Sequence, residues 1–213
     1  MRITLYYVPS NASMAPHLLL NEIGCPFELK LVDRENNEHQ SAEYLKLNPS
    51  GLIPVLVDEG RPIHQTAAIL LHLTDKFPSA GFAPGVGDAR RPALYQWLFY
   101  LSNTLQPELI TYFYPHRLAD DEAMAERVKH HAEQRVAGML DLLEAHLAAQ
   151  GPFMLGADFS ITDLMLLMLC RWTRMHARPA QTRPHLKRLI ETVAARPAVV
   201  KTFAVEKLPL PWY

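Results

Sequence analysis

The sequence predicts an α/β domain followed by an all-helical domain, and three observations lead to this fold class. Up to Phe77 the chain alternates β-rich and helical segments and then forms a hairpin and a helix. Pro78–Asp88 is rich in proline and glycine and has no hydrophobic periodicity. Every later segment has apolar residues at helical spacing. We therefore expect domains at residues 1–78 and 88–213, joined by a linker at residues 79–87.

The first domain is predicted to run strand, helix, strand, short helix, hairpin and helix. Its first strand is β-rich, its first helix stops at Gly24, and the residues Asp58, Glu59 and Gly60 suit a tight hairpin turn. The predicted strands are Arg2–Val8, Phe27–Val32, Leu52–Val57 and Arg61–His64, and the predicted helices are Met14–Ile23, Ser41–Leu47 and Thr66–Phe77.

The second domain is predicted to contain only helices. Its first helix carries leucines at helical spacing from Leu94 to Leu105, and Pro107 should kink or split that helix near Gln106. Ser160 and Asp163 form a capping-box pattern ahead of an apolar run, which predicts a buried central helix. The other predicted helices are Asp121–Leu147, Arg183–Ala194 and Pro197–Val205.

Composition excludes several classes of function. The 213 residues are 49% hydrophobic and 20% charged, and the net charge of −1 gives no electrostatic case for nucleic acid or an anionic membrane. The two cysteines, Cys25 and Cys170, form neither a disulfide framework nor a metal cluster. Since no long apolar segment begins the chain and no apolar run reaches membrane-spanning length, we expect a cytoplasmic protein.

The most informative stretch is Asn48–Ile69, NPSGLIPVLVDEGRPIHQTAAI. A cis bond between Ile53 and Pro54 would turn the Ile53 backbone outward, where it could pair with a peptide-like ligand; the alternative is an ordinary edge-strand proline. Gln65 and Thr66 stand where a helix opens, and a helix N-terminus favours an anion.

NPSGLIP, a hairpin, and then a polar pair before AAI resemble the glutathione-site segment of the glutathione S-transferase family. The resemblance covers the whole chain. It implies a thioredoxin-like N-terminal domain, glutathione as co-substrate, and a homodimer. It also implies transfer of glutathione to an electrophilic, apolar small molecule.

The resemblance also implies residues that bind glutathione. Gln65 and Thr66 stand at the pair that holds the γ-glutamyl end, and Thr66 could equally serve only as a helix cap. His39 and Gln40 match the pair that reaches the glycine carboxylate, with glutamine replacing the usual Lys or Arg. Ile53 and Pro54 would pair with the peptide backbone.

The residue that activates the thiol is the open choice. Ala12 stands where bacterial relatives with a YxPGACS pattern carry cysteine, so a mixed-disulfide mechanism lacks its residue. Asn11 stands where the plant-type pattern has serine, and its amide can donate to a thiolate. We rank Asn11 first, followed by Ser13, Ser10 and Tyr7.

An aromatic stretch and a later tryptophan suggest the pocket for the second substrate. Tyr112, His116 and Trp172 are the candidates, although aromatic stripes are more often core. Two alternative functions stay open at this point. One is a glutathione-dependent disulfide or peroxide reductase, and the other is a non-catalytic binding module of the same fold.

Overall fold

The computed structural model describes residues 2–212, and these residues form two compact units. The first unit takes in the chain through Ala83 together with Ala195–Trp212, and the second spans Pro84–Ala194. Met1 and Tyr213, the outer ends of the two predicted domains, lie outside the described residues.

The C-terminal segment of the chain belongs to the first compact unit, whereas the sequence assigned it to the helical domain. Its helix α9, Pro197–Val205, lies against α1, Met14–Ile23. Such a contact between distant segments leaves no local signal in the sequence.

Four strands form one mixed sheet in the first unit. Its order is β2–β1–β3–β4, where β1 is Ile3–Tyr7, β2 is Glu28–Leu31, β3 is Val55–Asp58 and β4 is Arg61–His64. Strand β1 runs parallel to β2 and antiparallel to β3, and β3 and β4 form the hairpin. This is the expected βαβ unit followed by a hairpin, so the thioredoxin-like fold class is confirmed.

Pro54 lies immediately before strand β3, which begins at Val55 rather than at Leu52. Proline has no N–H to give to a sheet ladder, so the strand starts after it. Because β3 pairs with a strand on each side, the interpretation of Pro54 as an edge-strand proline is wrong. The Ile53–Pro54 peptide bond is cis.

Three further helices or helix ends shape the first unit. Helix α1 stops at Gly24, whose φ of 73° suits glycine, as predicted. Helix α2, Ala42–Leu47, is capped by the Ser41 side chain, which accepts a hydrogen bond from the Tyr44 N–H. Helix α3 is Thr66–Lys76. The buried core of this unit includes Ile3, Leu5, Leu18, Leu19, Ile69, Leu70 and Leu73.

The second unit is helical, as the sequence predicts. Its helices are α4, Arg91–Tyr100; α5, Gln106–Phe113; α6, Glu122–Gln150; α7, Ile161–Trp172; and α8, Pro184–Ala194. A π-helical turn at Leu101–Leu105 joins α4 to α5 where a kink was expected. Pro107, which cannot donate to the helix ladder, stands just after this turn.

Helix α7 is the buried centre of the second unit, with all of its residues buried. The predicted capping box is present, because Asp163 Oδ2 accepts from the Ser160 N–H at 2.8 Å. Asp163 Oδ1 also accepts from the Met154 N–H at 2.8 Å, which ties the preceding loop to the helix start. None of the helices described within residues 2–212 is both long and apolar enough to span a membrane.

Candidate functional site

The four candidates for thiol activation lie in or beside the loop between β1 and α1. Ser10, Asn11 and Ser13 belong to the loop, and Tyr7 is the last residue of β1. Ser13 is fully buried, and its hydroxyl donates to the Val8 carbonyl at 3.0 Å while accepting from the Val8 N–H at 3.1 Å. The hydroxyl has only one proton, and the loop backbone already receives it. Ser13 therefore closes the loop on itself.

The Asn11 side-chain amide uses its oxygen, but not its N–H donors, in hydrogen bonds among the described residues. Its Oδ1 accepts a hydrogen bond from the Ala12 N–H at 2.6 Å. This bond directs the oxygen toward the backbone and leaves the Nδ2 group, with two donors, without a partner among residues 2–212. Asn11 is partly buried, so this amide can face a ligand.

Tyr7 is the last residue of β1, and Ser10 lies in the turn that the Asn11 N–H closes on the Val8 carbonyl. Burial, and then the nearby Glu206 carboxylate, raise the pKa of Tyr7 above its ordinary value. Its phenol therefore stays protonated at neutral pH and can act as a donor. Ser10 is partly buried and has a φ of 61°, a left-handed conformation that is uncommon outside glycine.

Gln65 and Thr66 stand at the start of α3, as the sequence predicts. Gln65 is exposed and has φ 75° and ψ 119°, which lies outside the regions that suit a residue with a Cβ. Strain of this kind persists only where the surroundings enforce it, and it clusters at ligand sites. The Gln65 amide does not cap its own helix.

Thr66 joins the start of α3 to the loop of Asn11. Its hydroxyl is buried and donates to the Ala12 carbonyl at 3.2 Å. Among the described residues, the one proton of this hydroxyl is therefore directed at the backbone of the loop. The Thr66 N–H is at the first helical position, where the helix ladder offers it no partner.

The turn before β3 brings Gln40 to the cis proline segment. Gly51 has a φ of +63°, and a Cβ atom there would come within 2.4 Å of Gln40 Nε2. The glutamine side chain thus lies over the turn. The carbonyl of Leu52 accepts from the Tyr44 hydroxyl at 2.9 Å and from Asn48 Nδ2 at 2.7 Å, which fixes the residue before Ile53.

His39 belongs to a short 3₁₀ turn, Glu38–Gln40. Its Nδ1 atom is buried and has no hydrogen-bond partner within the described part of the chain. The predicted pair of His39 and Gln40 therefore contains one exposed amide, held over the turn, and one partly buried ring.

Two of the three predicted pocket residues share one aromatic cluster in the second unit. Tyr112 and Trp172 are buried, and Phe113 contacts both of their rings, at centroid distances of 5.3 and 6.2 Å. His176, which the sequence did not single out, packs against Tyr112 with its ring tilted by 44° and the ring centroids 4.1 Å apart. His116 is 67% exposed, and its Nδ1 lies 3.9 Å from the carboxylate of Glu122. No contact described within residues 2–212 joins it to the cluster.

Sequence reasoning also missed a buried pair beside the loop. Glu206 Oε1 lies 2.9 Å from His17 Nδ1, and Glu206 Oε2 accepts from the Ser10 N–H at 2.9 Å. A glutamate in the chain's last ten residues resembles a solvated charge, so the pattern gave no signal. Within residues 2–212, no group of three or more His, Cys, Asp or Glu residues could hold a metal ion.

Two family models match the chain. They are "Glutathione S-transferase, N-terminal domain" over residues 1–75 and "Glutathione S-transferase, C-terminal domain" over residues 104–204. Among curated relatives, "Glutathione S-transferase 3" of Zea mays is 35% identical over 201 residues, which cover 91% of this chain and 89% of the relative. The Xanthomonas campestris "Glutathione S-transferase GST-4.5" is 30% identical, with 79% of this chain and 81% of the relative covered.

Solved structures show the same similarity. A glutathione transferase of Methylococcus capsulatus is 31% identical, with a TM-score of 0.84 and coverage of 97% of this chain and 100% of that one. A sphingomonad glutathione S-transferase complexed with glutathione is 28% identical, with a TM-score of 0.85 and coverage of 97% and 100%.

Proposed function

We propose, from the premise that this chain belongs to the glutathione S-transferase family, that it activates the thiol of glutathione for attack on an electrophilic carbon of an apolar small molecule. One observation carries the proposal. The bond from Thr66 Oγ1 to the Ala12 carbonyl joins two segments. One is the loop that carries the Asn11 amide donors, and the other is the start of α3, which favours an anion. A thiol and a carboxylate of one small molecule can thus be held together.

The donor set fits an anionic tripeptide. The Gln65 amide, the Thr66 N–H and the positive end of α3 would hold the carboxylate of the γ-glutamyl end. Gln40 would donate to the glycine carboxylate, with His39 beside it. The backbone of Ile53 would pair with the peptide in the manner of an added strand.

Asn11 is the residue that we propose to stabilise the thiolate. The thiolate is the nucleophile, and a donor aimed at sulfur raises its fraction at neutral pH. Asn11 Nδ2 has no partner among residues 2–212 and could donate such a bond. Tyr7 and Ser10 follow, and Ser13 now ranks last because its proton goes to Val8.

The apolar substrate would bind at the aromatic cluster of Tyr112 and Trp172. Flat rings with a few polar atoms suit apolar electrophiles. Trp172 Nε1 and His176 Nε2 are buried without a partner among the described residues. His116, which is largely exposed, would contribute least.

Turnover tests this function against its alternatives. We expect conjugation of 1-chloro-2,4-dinitrobenzene to glutathione and slower reduction of bis(2-hydroxyethyl) disulfide. The reverse order of rates would favour the reductase. Binding of glutathione by calorimetry with neither turnover would favour the non-catalytic module, and no binding at millimolar glutathione would contradict the proposal as a whole.

The homodimer and the cytoplasmic location also remain proposals. Both rest on the family resemblance and on the composition. Sedimentation equilibrium tests the first, with a mass of twice 24.2 kDa expected. Cell fractionation tests the second.

A further inference from the structure

The carboxylate of Glu206 holds the loop that carries Asn11. Glu206 follows α9 at the C-terminal end of the chain, and its side chain is fully buried. Oε2 accepts from the Ser10 N–H at 2.9 Å, and Oε1 lies 2.9 Å from His17 Nδ1. A buried carboxylate is unfavourable unless both oxygens find donors, and here both do.

The bond to Ser10 acts at the strained residue of the loop. Ser10 has a φ of 61°, a conformation that costs a non-glycine residue free energy and persists only where surroundings enforce it. A hydrogen bond from a backbone N–H to a carboxylate is among the stronger ones. Asn11 is the next residue, so the direction of its side chain depends on this conformation.

His17 supports the carboxylate from the side of α1. Its ring is buried between Tyr7 and Phe27, which it meets edge-on at 5.9 and 5.8 Å. The same histidine thus contacts Glu206 and another of the candidate donors, Tyr7. Glu206 and His17 form a support beneath the loop rather than part of its exposed surface.

We infer that Glu206 is a positioning residue for thiol activation, because it fixes Ser10 and thereby aims the Asn11 amide at the bound sulfur. The inference rests on the proposed function. The segment after α9 would thus help to position the residue that activates the thiol in the first unit.

Further polar contacts join α9 and the residue before it to α1 without touching the loop, and one of them provides a matched control. Asn21 Nδ2 donates to Thr202 Oγ1 at 2.9 Å, and the Arg196 guanidinium pairs with Glu22, with its closest nitrogen 2.5 Å from the carboxylate. Asn21→Ala removes the first bond and should loosen α9 while leaving Ser10 and Asn11 in place.

Glu206→Met removes the acceptor while keeping the volume, and Glu206→Gln keeps an acceptor for the Ser10 N–H. The readouts are kcat, KM for glutathione, and the pKa of the bound thiol from thiolate absorbance against pH. We expect Glu206→Met to raise that pKa and lower kcat about tenfold, the size of one lost hydrogen bond to a charged group, with KM nearly unchanged. Glu206→Gln should keep the bound-thiol pKa at or below the wild-type value, and Asn21→Ala should leave it unchanged.

The direction in which Glu206→Met shifts the pKa of the bound thiol distinguishes a positioning role from a direct effect of the Glu206 charge. Removal of a nearby negative charge would by itself favour the thiolate and lower the pKa. A fall or no change in a folded Glu206→Met protein would overturn the inference, as would an equal rise in Asn21→Ala. Should Glu206→Met not fold, a raised bound-thiol pKa in Glu206→Gln would overturn it, and wild-type behaviour there would support it. If wild type itself does not lower the thiol pKa, the proposed function fails as well, and that result needs no variant.

Discussion

Thr66 Oγ1 donates a hydrogen bond to the carbonyl oxygen of Ala12 at 3.2 Å, across a sequence separation of 54 residues. This bond links the first residue of α3 to the loop that follows β1. The Thr66 side chain therefore connects two segments that both carry predicted site residues. Its hydroxyl ties the helix start to the loop, and its N–H is one of the first N–H groups of α3, for which the helix ladder offers no partner.

Thr66→Val should destabilise the protein and weaken glutathione binding together. The variant leaves the Ala12 carbonyl without its donor in a buried place, which costs about 1–3 kcal/mol. Thr66→Ser keeps the hydroxyl and should behave like wild type. Thermal unfolding and calorimetric titration of the two variants measure both effects, and a wild-type unfolding temperature in Thr66→Val would count against the bond.

Gln65→Gly should stabilise the fold and weaken glutathione binding. Glycine adopts a φ of 75° without the cost that a Cβ brings, so we expect a gain on the order of 1 kcal/mol in the free energy of unfolding. Gln65→Ala keeps the strain and removes the amide, so it should weaken binding with no gain in stability. Tight binding by Gln65→Gly would show that the amide is not a ligand.

Asp58 should stabilise the protein at neutral pH and cease to do so in acid. Burial opposes its ionisation, but hydrogen bonds from Lys76 and His72 outweigh burial and lower its pKa. The lowered folded-state pKa means that the stabilisation is complete above the unfolded value of about 3.9 and is lost as the pH falls through the folded value.

The measurement is the free energy of unfolding of wild type and Asp58→Asn against pH. The gap between them should be widest at neutral pH and shrink below pH of about 4. Asp120→Asn, at an exposed aspartate, serves as the control. A gap that stays constant into acid would contradict the assignment.

Neither cysteine should act in the reaction. Burial raises the pKa of Cys25 and of Cys170, so both stay as thiols at neutral pH. A Cys25→Ala, Cys170→Ala double variant should keep its turnover when folded, as judged by circular dichroism. Loss of turnover in a folded double variant would show that a cysteine takes part in the reaction and would overturn this prediction.

The sequence predicts the features whose causes are local. Apolar spacing and turn residues gave the order of strands and helices, and Ser160 with Asp163 gave the start of α7, because a capping box spans only four residues. The place of Gln65 and Thr66 at a helix start follows in the same way.

The rest depends on contacts between distant segments. Ser10 and Glu206 are 196 residues apart, so no pattern within a window could join them. Ser13 appeared to be a free hydroxyl until its bonds to Val8 were visible. The strained φ of Gln65 and the packing of His176 against Tyr112 likewise arise only in the folded chain.

The most direct test of the account is the pKa of the bound glutathione thiol in wild type and in Asn11→Ala, read from thiolate absorbance. Wild type should lower it below the free-thiol value of about 8.5, and Asn11→Ala should raise it by about one to two units with affinity nearly intact, since a hydrogen bond to a charged group contributes about 1.5–3 kcal/mol. Tyr7→Phe and Ser13→Ala serve as comparisons. An unmoved curve in Asn11→Ala would contradict the account, and a shift in Tyr7→Phe instead would pass the role to that tyrosine.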